Sequence, residues 1–388
     1  MEWKEVRLGD VCDLIAGFAF KAKDFGEFPT KVIKIGDIKP PFVDYVGQVG
    51  VDISNYDINR LSKYTVKYGD YVLAMTGATI GKVGKYISEN FSYINQRVLK
   101  FSPKQNVDAD FINYIICSNI FAKYVVNFVD SESAQPNISA PTISKFAFQI
   151  PSEKDDQYRI ASILSSLDRK IELNNKINAD LEEMAQAIFK NWFVDFEPFK
   201  DGKFVDSELG MIPEGWKVGL LGELCNFKRG KNLLTKNAID EGVPVVAGGL
   251  EPSCYHNVAN TGAPVITVSG SGANAGFMRM YHVPVWASDC SFIDISCENF
   301  YFVYCFLKVN SKLLKHAQTG AVQPHVKPSD IHDFELVIPD KESIYDFQDK
   351  VKPFFDKIAS IQKENSRLSL LRDTLLPRLM SGELEVPE

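Results

Sequence analysis

The strongest constraint on the fold is an internal duplication of the chain. Residues 8–13 (LGDVCD) recur as residues 221–226 (LGELCN), at an offset of 213 residues. Residues 135–138 (QPNI) recur as residues 323–326 (QPHV), at an offset of 188, so the second copy is shorter in its middle. A repeat of this kind predicts two similar scaffolds. The divergent sequence between the anchors favours different binding loops on a shared frame, and duplication followed by simple drift is the alternative.

Both copies contain short, β-branched segments bounded by Gly or Pro, which predict a β-rich domain in each copy. Examples are residues 31–35, 70–75 and 263–269. One helix is predicted over residues 109–128 in the first copy, and its counterpart is predicted over residues 299–315 in the second.

Each copy is followed by a long segment whose apolar residues alternate in steps of four and three. This spacing is typical of a coiled-coil seam, in which an occasional Asn fixes the register. The seam positions are Ile160, Leu164, Leu167, Ile171, Asn174, Asn178, Leu181, Ala185, Ile188 and Trp192, and then Ile344, Phe347, Val351, Phe354, Ile358, Ile361, Asn365, Leu368, Arg372, Leu375 and Leu379.

A compact domain separates the two helical segments, so antiparallel pairing of one with the other is the easiest arrangement. About 33 residues at roughly 1.5 Å each give a rod of about 50 Å, or roughly 15 base pairs. Helices that oligomerise are the alternative. We expect Leu371 to replace Arg372 in the seam, and Pro353 and Pro377 to kink or end the second helix locally.

Composition and charge limit the class of protein. The chain has 388 residues, of which 45% are hydrophobic, and this content predicts globular domains. No run of about 18 apolar residues and no signal-peptide pattern is present, and the seven cysteines are scattered. The sequence therefore predicts a cytoplasmic protein with reduced thiols and no membrane contact.

The net charge of −7 argues against DNA binding by the chain as a whole. The acidity is unevenly distributed, because residues 1–150 carry 17 Lys+Arg against 16 Asp+Glu, residues 151–212 carry 8 against 13, residues 213–338 carry 10 against 11, and residues 339–388 carry 8 against 10. Near-neutral domains bind phosphates weakly, since counterion release needs clustered cations. We expect a partner to supply part of the basic surface.

Several motifs together resemble the specificity subunits of Type I restriction-modification systems. These motifs are Trp3-Lys4-x-x-x-Leu8-Gly9-Asp10, Gly69-Asp70-x-x-Leu73, Thr76-Gly77-Ala78-Thr79-Ile80-Gly81-Lys82-Val83-Gly84, Ile94-Asn95-Gln96-Arg97, Gln157-x-x-Ile160 with Leu164, Leu167 and Asp168, the linker at residues 210–216 and the ending at residues 375–384. The second copy departs from this pattern: Ser269-Gly270-Ser271-Gly272 replaces Thr-Gly-Ala-Thr, and Ile94-Asn95-Gln96-Arg97 has no equivalent.

The resemblance implies an α+β fold with two similar β-rich target-recognition domains, each followed by a long helix, the two helices pairing as an antiparallel coiled coil. The expected segments are residues 1–151, 152–212, 213–339 and 340–388. Each domain would recognise one half of a bipartite target in double-stranded DNA, and the helices would fix the gap. Two modification subunits with S-adenosylmethionine would dock on the chain, and a restriction subunit that uses ATP and Mg²⁺ could join them. The chain itself would need no cofactor and would do no chemistry.

Donors and acceptors on loops are the candidates for base recognition, because Arg and Lys suit guanine and Asn and Gln suit adenine. The candidates are Lys21, Lys23, Lys63, Thr79, Lys82 and Arg97 in the first domain, and Lys228, Arg229, Lys231, Asn232, Ser271, Asn274 and Arg279 in the second. Solvated surface charge is the alternative for each. The aromatic residues Trp192, Phe193 and Phe196 are predicted to form helix core or a docking surface.

No catalytic motif is intact. Residues 77–82 (GATIGK) are one residue short of a phosphate loop, and Val83 stands where Ser or Thr would hold magnesium. Lys39-Pro40-Pro41-Phe42 resembles an amino-methyltransferase motif, but lysine cannot accept the hydrogen bond which that chemistry needs. A non-catalytic DNA-specificity subunit is therefore favoured over a methyltransferase with its own recognition domains. A coiled-coil adaptor that binds protein is the third hypothesis.

Overall fold

The computed structural model describes residues 1–128, 136–318 and 324–386. These residues form two compact units. The first unit contains Met1–Glu172 and Ser366–Glu388, and the second contains Leu173–Asn365. The units differ from the four segments predicted along the chain, because each long helix contributes residues to both units. The segment boundaries stay a prediction about sequence organisation.

The β-sheets of the first unit follow the predicted β-rich pattern. A six-stranded sheet has the order Cys12–Ala16, Val98–Pro103, Tyr71–Ala74, Val83–Lys85, Phe42–Val43 and Ile38–Lys39. A four-stranded sheet has the order Val49–Val51, Phe25–Ile33, Ser92–Ile94 and Thr65–Val66, and an antiparallel pair joins Trp3–Arg7 to Ala147–Pro151. The predicted strands near residues 31–35 and 70–75 are confirmed.

The second unit has the same kinds of sheet with fewer strands. A four-stranded sheet has the order Lys228–Arg229, Cys290–Asp294, Val265–Ser269 and Met278–Tyr281. A three-stranded sheet has the order Cys254–His256, Val243–Val246 and Trp286–Ala287, and antiparallel pairs join Lys217–Leu220 to Glu335–Ile338 and Phe204–Val205 to Ile212–Pro213. The shorter middle of the second copy thus corresponds to a smaller set of strands.

Both short helices predicted as single elements are interrupted. The first consists of Ala109–Ile116 and Asn119–Asn127. Ser118 starts the second of these, because its hydroxyl accepts a hydrogen bond from the Phe121 N–H at 3.3 Å and so caps the helix. In the second copy Asn310 separates Phe300–Val309 from Ser311–His316. The prediction of one continuous helix at each place was wrong. Shorter helices are Leu8–Val11, Ile58–Leu61, Ala140–Ser144 and Pro328–His332.

Two long helices, Lys154–Phe193 and Lys341–Met380, have 40 residues each. They exceed the roughly 33 residues inferred from the seam. The second helix continues through Pro353 and Pro377, so neither proline ends it there, and a local kink at either one stays a prediction. Both prolines are exposed, and water can satisfy the carbonyl groups that lose an N–H partner there.

The long helices pair antiparallel within each unit. In the first unit Asp168 bonds Arg372. In the second unit Asn174 bonds Asn365, and the rings of Phe193 and Phe347 lie 5.2 Å apart. Residue numbers therefore increase along one helix where they decrease along the other, which is an antiparallel arrangement. Every predicted seam position is buried or partly buried.

One detail of the predicted seam was wrong. Leu371 is 46% exposed and does not take the place of Arg372. Arg372 itself lies in the seam, because Asp168 provides an opposite charge at 2.8 Å. An arginine is tolerated at such a position when its charge is paired.

The aromatic core of the second unit explains the predicted aromatic group at the end of the first long helix. Phe193 is 7% exposed and packs against Phe302, Phe347 and Trp216 at centroid distances of 5.0 to 5.8 Å. Trp192 also contacts Phe347, at 6.3 Å. These rings therefore belong to the hydrophobic core. Core was one of the two predicted roles, and a docking surface was the other.

Candidate nucleic-acid interface

A glycine-rich turn at residues 76–81 lies at the end of a central strand of the first unit. Gly77 and Gly81 have positive φ values of 74° and 81°, a conformation that glycine adopts readily. The Gly77 N–H donates to the Pro136 carbonyl at 3.2 Å, and the Gly81 N–H donates to the Ala74 carbonyl at 2.9 Å. The segment is therefore a tight turn held by backbone hydrogen bonds.

The same turn occurs in the second unit at residues 271–276. Gly272 and Gly276 have φ values of 80° and 77°. The Gly272 N–H donates to the Pro324 carbonyl at 3.1 Å, and the Gly276 N–H donates to the Ser269 carbonyl at 2.9 Å. Each bond has its counterpart in the first unit, so the turn is part of the duplicated frame.

This equivalence corrects the sequence comparison. Residues 271–274 (SGAN), and not residues 269–272 (SGSG), correspond to Thr76-Gly77-Ala78-Thr79. The offset at this place is 195 residues, between the 213 and 188 of the flanking anchors. The sequence misled because a second Ser-Gly pair precedes the true one.

The repeated segment after the helices also contacts the turn. Thr76 pairs with Asn137 through a β-bridge, and Ser271 pairs with His325 in the same way. His325 thus occupies the structural place of Asn137, as the repeat predicted. Gln135 and Gln323, the first residues of this repeat, lie outside the described residues.

The second unit has an equivalent of the segment that carries Arg97, although none was predicted. The Met75 N–H donates to the Arg97 carbonyl at 2.9 Å, and the Gly270 N–H donates to the Asp289 carbonyl at 3.1 Å. Asp289 therefore stands where the first unit has Arg97. Sequence comparison missed this because the segment is shorter and the side chain has the opposite charge.

Most candidate side chains of the first unit are on the surface. The exposed cations are Lys21, Lys23, Lys63, Lys82 and Arg97. Thr79 differs, because its hydroxyl oxygen is buried and has no hydrogen-bond partner. A buried hydroxyl cannot contact a base edge, so the position of Thr79 argues against the predicted role in base recognition.

A group of aromatic rings lies beside one of these cations, Lys63. Phe18 packs against Tyr56 and Tyr64 with ring centroids 5.4 Å apart. The Arg60 guanidinium lies 5.7 Å from the Phe18 ring, and the Lys63 ammonium lies 4.9 Å from the Tyr64 ring. Such contacts restrain long cationic side chains. The candidate list missed Arg60, although it lies three residues before Lys63.

Candidates of the second unit divide into exposed and engaged side chains. Lys228, Lys231 and Asn232 are exposed. Arg279 donates to the Leu250 carbonyl at 3.0 Å and pairs with Glu251 at 3.1 Å. The candidate set also includes Asn274, whose amide donates to the Gly248 carbonyl at 3.3 Å. These three contacts hold the loop around residue 250, which gives Arg279 and Asn274 a structural role.

Arg229 and Ser271 share one acceptor. Both donate to Asp289, Arg229 to Oδ1 and Ser271 to Oδ2. Arg229 lies at the edge of a cavity that is also lined by Gly270, His325 and Lys327. The structure thus brings Arg229 and Ser271 together and adds Asp289, His325 and Lys327, which the candidate list did not contain.

A family model for the type I restriction modification DNA specificity domain matches residues 1–183 and 213–369. The chain belongs to this family. The matched segments contain both glycine turns and most of each long helix.

Curated relatives support the same family. A type I restriction enzyme specificity subunit of Methanocaldococcus jannaschii, MjaIX, is 30% identical and aligns with 82% of this chain and 78% of its own length. The HindI specificity subunit of Haemophilus influenzae is 27% identical and aligns with 99% of this chain and 100% of its own. A crystal structure of a type I restriction-modification S subunit from M. genitalium has a TM-score of 0.55 at 17% identity, over 98% of this chain and 96% of that one, which supports the fold.

Within residues 1–128, 136–318 and 324–386, no group of three or more His, Cys, Asp or Glu residues is arranged to hold a metal ion. Burial raises the pKa of the Cys12 and Cys290 thiols to about 12, so neither is a thiolate at neutral pH. No helix of the described chain is long and apolar enough to cross a membrane.

Proposed function

We propose that this chain is the DNA-specificity subunit of a type I restriction-modification enzyme and that each unit recognises one half of a bipartite target. The observation that carries the proposal is the duplicated glycine turn with an arginine at a different backbone position beside each copy. Arg97 lies next to the turn of the first unit, whereas Arg229 lies next to the turn of the second. A common frame that places its donor at a different position in each unit suits recognition of two unrelated half-sites, because a guanidinium recognises only the base that it reaches.

The candidate side chains support DNA contact in different ways. Exposed Lys21, Lys23 and Lys82 suit phosphate contacts, which position the protein without specifying sequence. Arg97 and Arg229 suit guanine, because a guanidinium can donate two parallel hydrogen bonds to O6 and N7. The near-neutral charge of each domain agrees with a complex in which a partner provides further cations.

The two long helices are proposed to set the length of the unrecognised gap in the target. Each helix has 40 residues, which corresponds to a length of about 60 Å at about 1.5 Å per residue. Each contributes residues to both units. The seam contains polar contacts such as Asn174 with Asn365, which favour a single register.

Modification subunits are the proposed partners of the helices. Two of them, each with S-adenosylmethionine, would dock on the chain, and a restriction subunit that uses ATP and Mg²⁺ could join. Large side chains on the outer faces of the helices support docking: Tyr158, Tyr345 and Leu370 are 62 to 70% exposed. The chain itself is proposed to be non-catalytic and to need no cofactor.

The direct test is a genome-wide map of methylated adenines after co-expression of this chain with its modification subunit. A split motif with two unrelated halves and a fixed gap is the expected result. Expression of the modification subunit alone is the control and should give no motif. A continuous motif would show that one unit does not recognise DNA. No methylation, with the same modification subunit active on another specificity subunit, would favour a protein adaptor instead.

A further inference from the structure

We infer that Arg229 recognises one guanine of the second half-site and that Asp289 and Gly270 are the positioning residues that orient it. This inference rests on the proposed function and names the residues that determine specificity in one half of the target. It follows from three pairs of equivalent backbone positions, at each of which the two units carry different residues.

The register of the paired strands identifies the equivalent positions in the two units. In the first unit Ala16 pairs with Leu99, and in the second unit Arg229 pairs with Ser291. The N–H groups of the next residues, Gly17 and Gly230, donate to the carbonyl groups of Val98 and Cys290, at 2.9 and 2.8 Å. Val98 and Cys290 each come directly before the paired residue on the partner strand. Arg229 therefore occupies the position of Ala16.

The same frame matches Gly270 with Met75 and Asp289 with Arg97, through the backbone bonds described above. Met75 is 9% exposed in the first unit. In the second unit a Cβ on Gly270 would lie 2.9 Å from the Arg229 guanidinium carbon and closer still to Nη1. The space that the Met75 side chain takes in one unit is thus taken by the Arg229 guanidinium in the other.

Asp289 holds this guanidinium in place. One carboxylate oxygen accepts from Arg229 and the other accepts from Ser271, so the carboxylate cannot rotate freely. A guanidinium has five N–H donors in a rigid plane, and the bond to Asp289 engages one of its nitrogens. The side chain of Arg229 stays 45% exposed, so an oriented donor face remains open to a ligand.

Orientation distinguishes a guanine contact from a phosphate contact. A phosphate can also be bound by a lysine as a point charge, whereas bidentate recognition of guanine O6 and N7 needs two parallel N–H groups in the plane of the base. A paired carboxylate reduces the net charge that would attract a phosphate and restricts the plane of the guanidinium. The clamp therefore favours the base edge as the ligand of Arg229.

The test compares four variants of this chain in its complex with the modification subunit. Arg229→Ala removes the donors, Arg229→Lys keeps the charge without the fork, Asp289→Asn weakens the clamp, and Gly270→Ala displaces the guanidinium. Lys217→Ala, at the Lys217–Glu223 pair in the same unit, is the matched control. The readout is the base preference at each position of the methylated motif, with the melting temperature of each complex measured alongside.

All four variants should lose about tenfold or more of the guanine preference at one position of the second half-site. The first half-site and the control should be unchanged. An unchanged motif in Arg229→Ala would overturn the inference. A uniform loss of methylation at all sites, rescued by Arg229→Lys, would indicate a phosphate contact and would also overturn it. A wild-type complex without a bipartite motif would instead refute the proposed function.

Discussion

Arg372 donates from Nη1 to Oδ1 of Asp168 at 2.8 Å and so joins the two long helices within the first unit. The other oxygen of Asp168 accepts from the Tyr114 hydroxyl at 2.6 Å. Burial and this bond to Asp168 raise the pKa of Tyr114, which keeps the phenol protonated as a donor. The carboxylate therefore connects the β-rich domain to both helices.

Replacement of Arg372 by Met should lower the free energy of unfolding by about 1 kcal/mol, because both side chains of the pair are about one-third exposed and water screens the charges. A double-mutant cycle with Asp168→Asn, measured by urea denaturation, isolates the pairwise energy. Arg367→Met, at an exposed position of the same helix, is the control. A coupling energy near zero would contradict a stabilising role for the pair.

The helical part of the fold was predictable from the sequence because a 3.5-residue period is preserved over ten or more seam positions. What the period could not show was the continuity of the second helix through Pro353 and Pro377. The free-energy cost of a proline in a helix depends on whether water reaches the preceding turn. That exposure is set by tertiary packing, which the sequence period does not show. The interruption at Ser118 was missed for the opposite reason, since apolar residues continue on both sides of the cap.

Asn174 should contribute to the stability of the second unit through its polar contacts. Its amide donates to Glu364 at 2.9 Å and to Asn365 at 2.8 Å while the residue is 1% exposed. Asn174→Ala leaves both acceptors without this donor and should cost about 1 to 3 kcal/mol. Thermal unfolding monitored by circular dichroism measures the loss. An equal effect of Asn191→Ala, an exposed position on the same helix, would refute a specific contribution.

The two glycines of the second turn should tolerate substitution differently. A Cβ on Gly272 meets nothing within 4 Å. Gly272→Ala should therefore lower the free energy of unfolding only by the cost of a left-handed backbone conformation in alanine, about 1 to 2 kcal/mol. A Cβ on Gly276 would lie 2.6 Å from the Leu314 carbonyl oxygen, which adds a backbone clash. Gly276→Ala should therefore reduce the melting temperature more than Gly272→Ala does. The reverse order would mean that the turn can move away from the helix at Leu314.

The candidate site was less predictable than the fold. Exposed lysines and Arg97 were chosen as candidates because their residue types suit DNA, but the partners that orient an arginine are distant in sequence. Asp289 lies 60 residues from Arg229, and its importance follows only from strand register. Thr79 was chosen from its residue type and its place in a turn, and neither gives information about which way its hydroxyl points.

His282 should make the second unit less stable in mild acid. Burial lowers the pKa of His282, although the nearby carboxylates of Asp356 and Glu182 oppose the effect. The folded state then binds a proton at His282 less readily than the unfolded state does. The stability that comes from a neutral, buried His282 is therefore complete above about pH 6.5 and is lost as the pH falls through the lower folded pKa. Glu182 also pairs with Lys308 at 2.9 Å. Melting temperatures between pH 7.5 and about pH 5 should fall more for the wild type than for His282→Gln; parallel curves would contradict this.

Arg97 should determine base preference in the first half-site independently of the second unit. Its side chain is exposed beside the turn at residues 76–81, and its own carbonyl is fixed by the Met75 N–H at 2.9 Å. Arg97→Ala should relax one position of the first half-site by about tenfold and leave the second half-site unchanged. Maps of methylated adenines from the complex measure both halves at once, and Arg7→Ala, an exposed arginine on another strand of the same unit, is the control. Equal relaxation of both halves would show that the two units do not recognise DNA separately, because a local donor can alter only the base pairs within its reach.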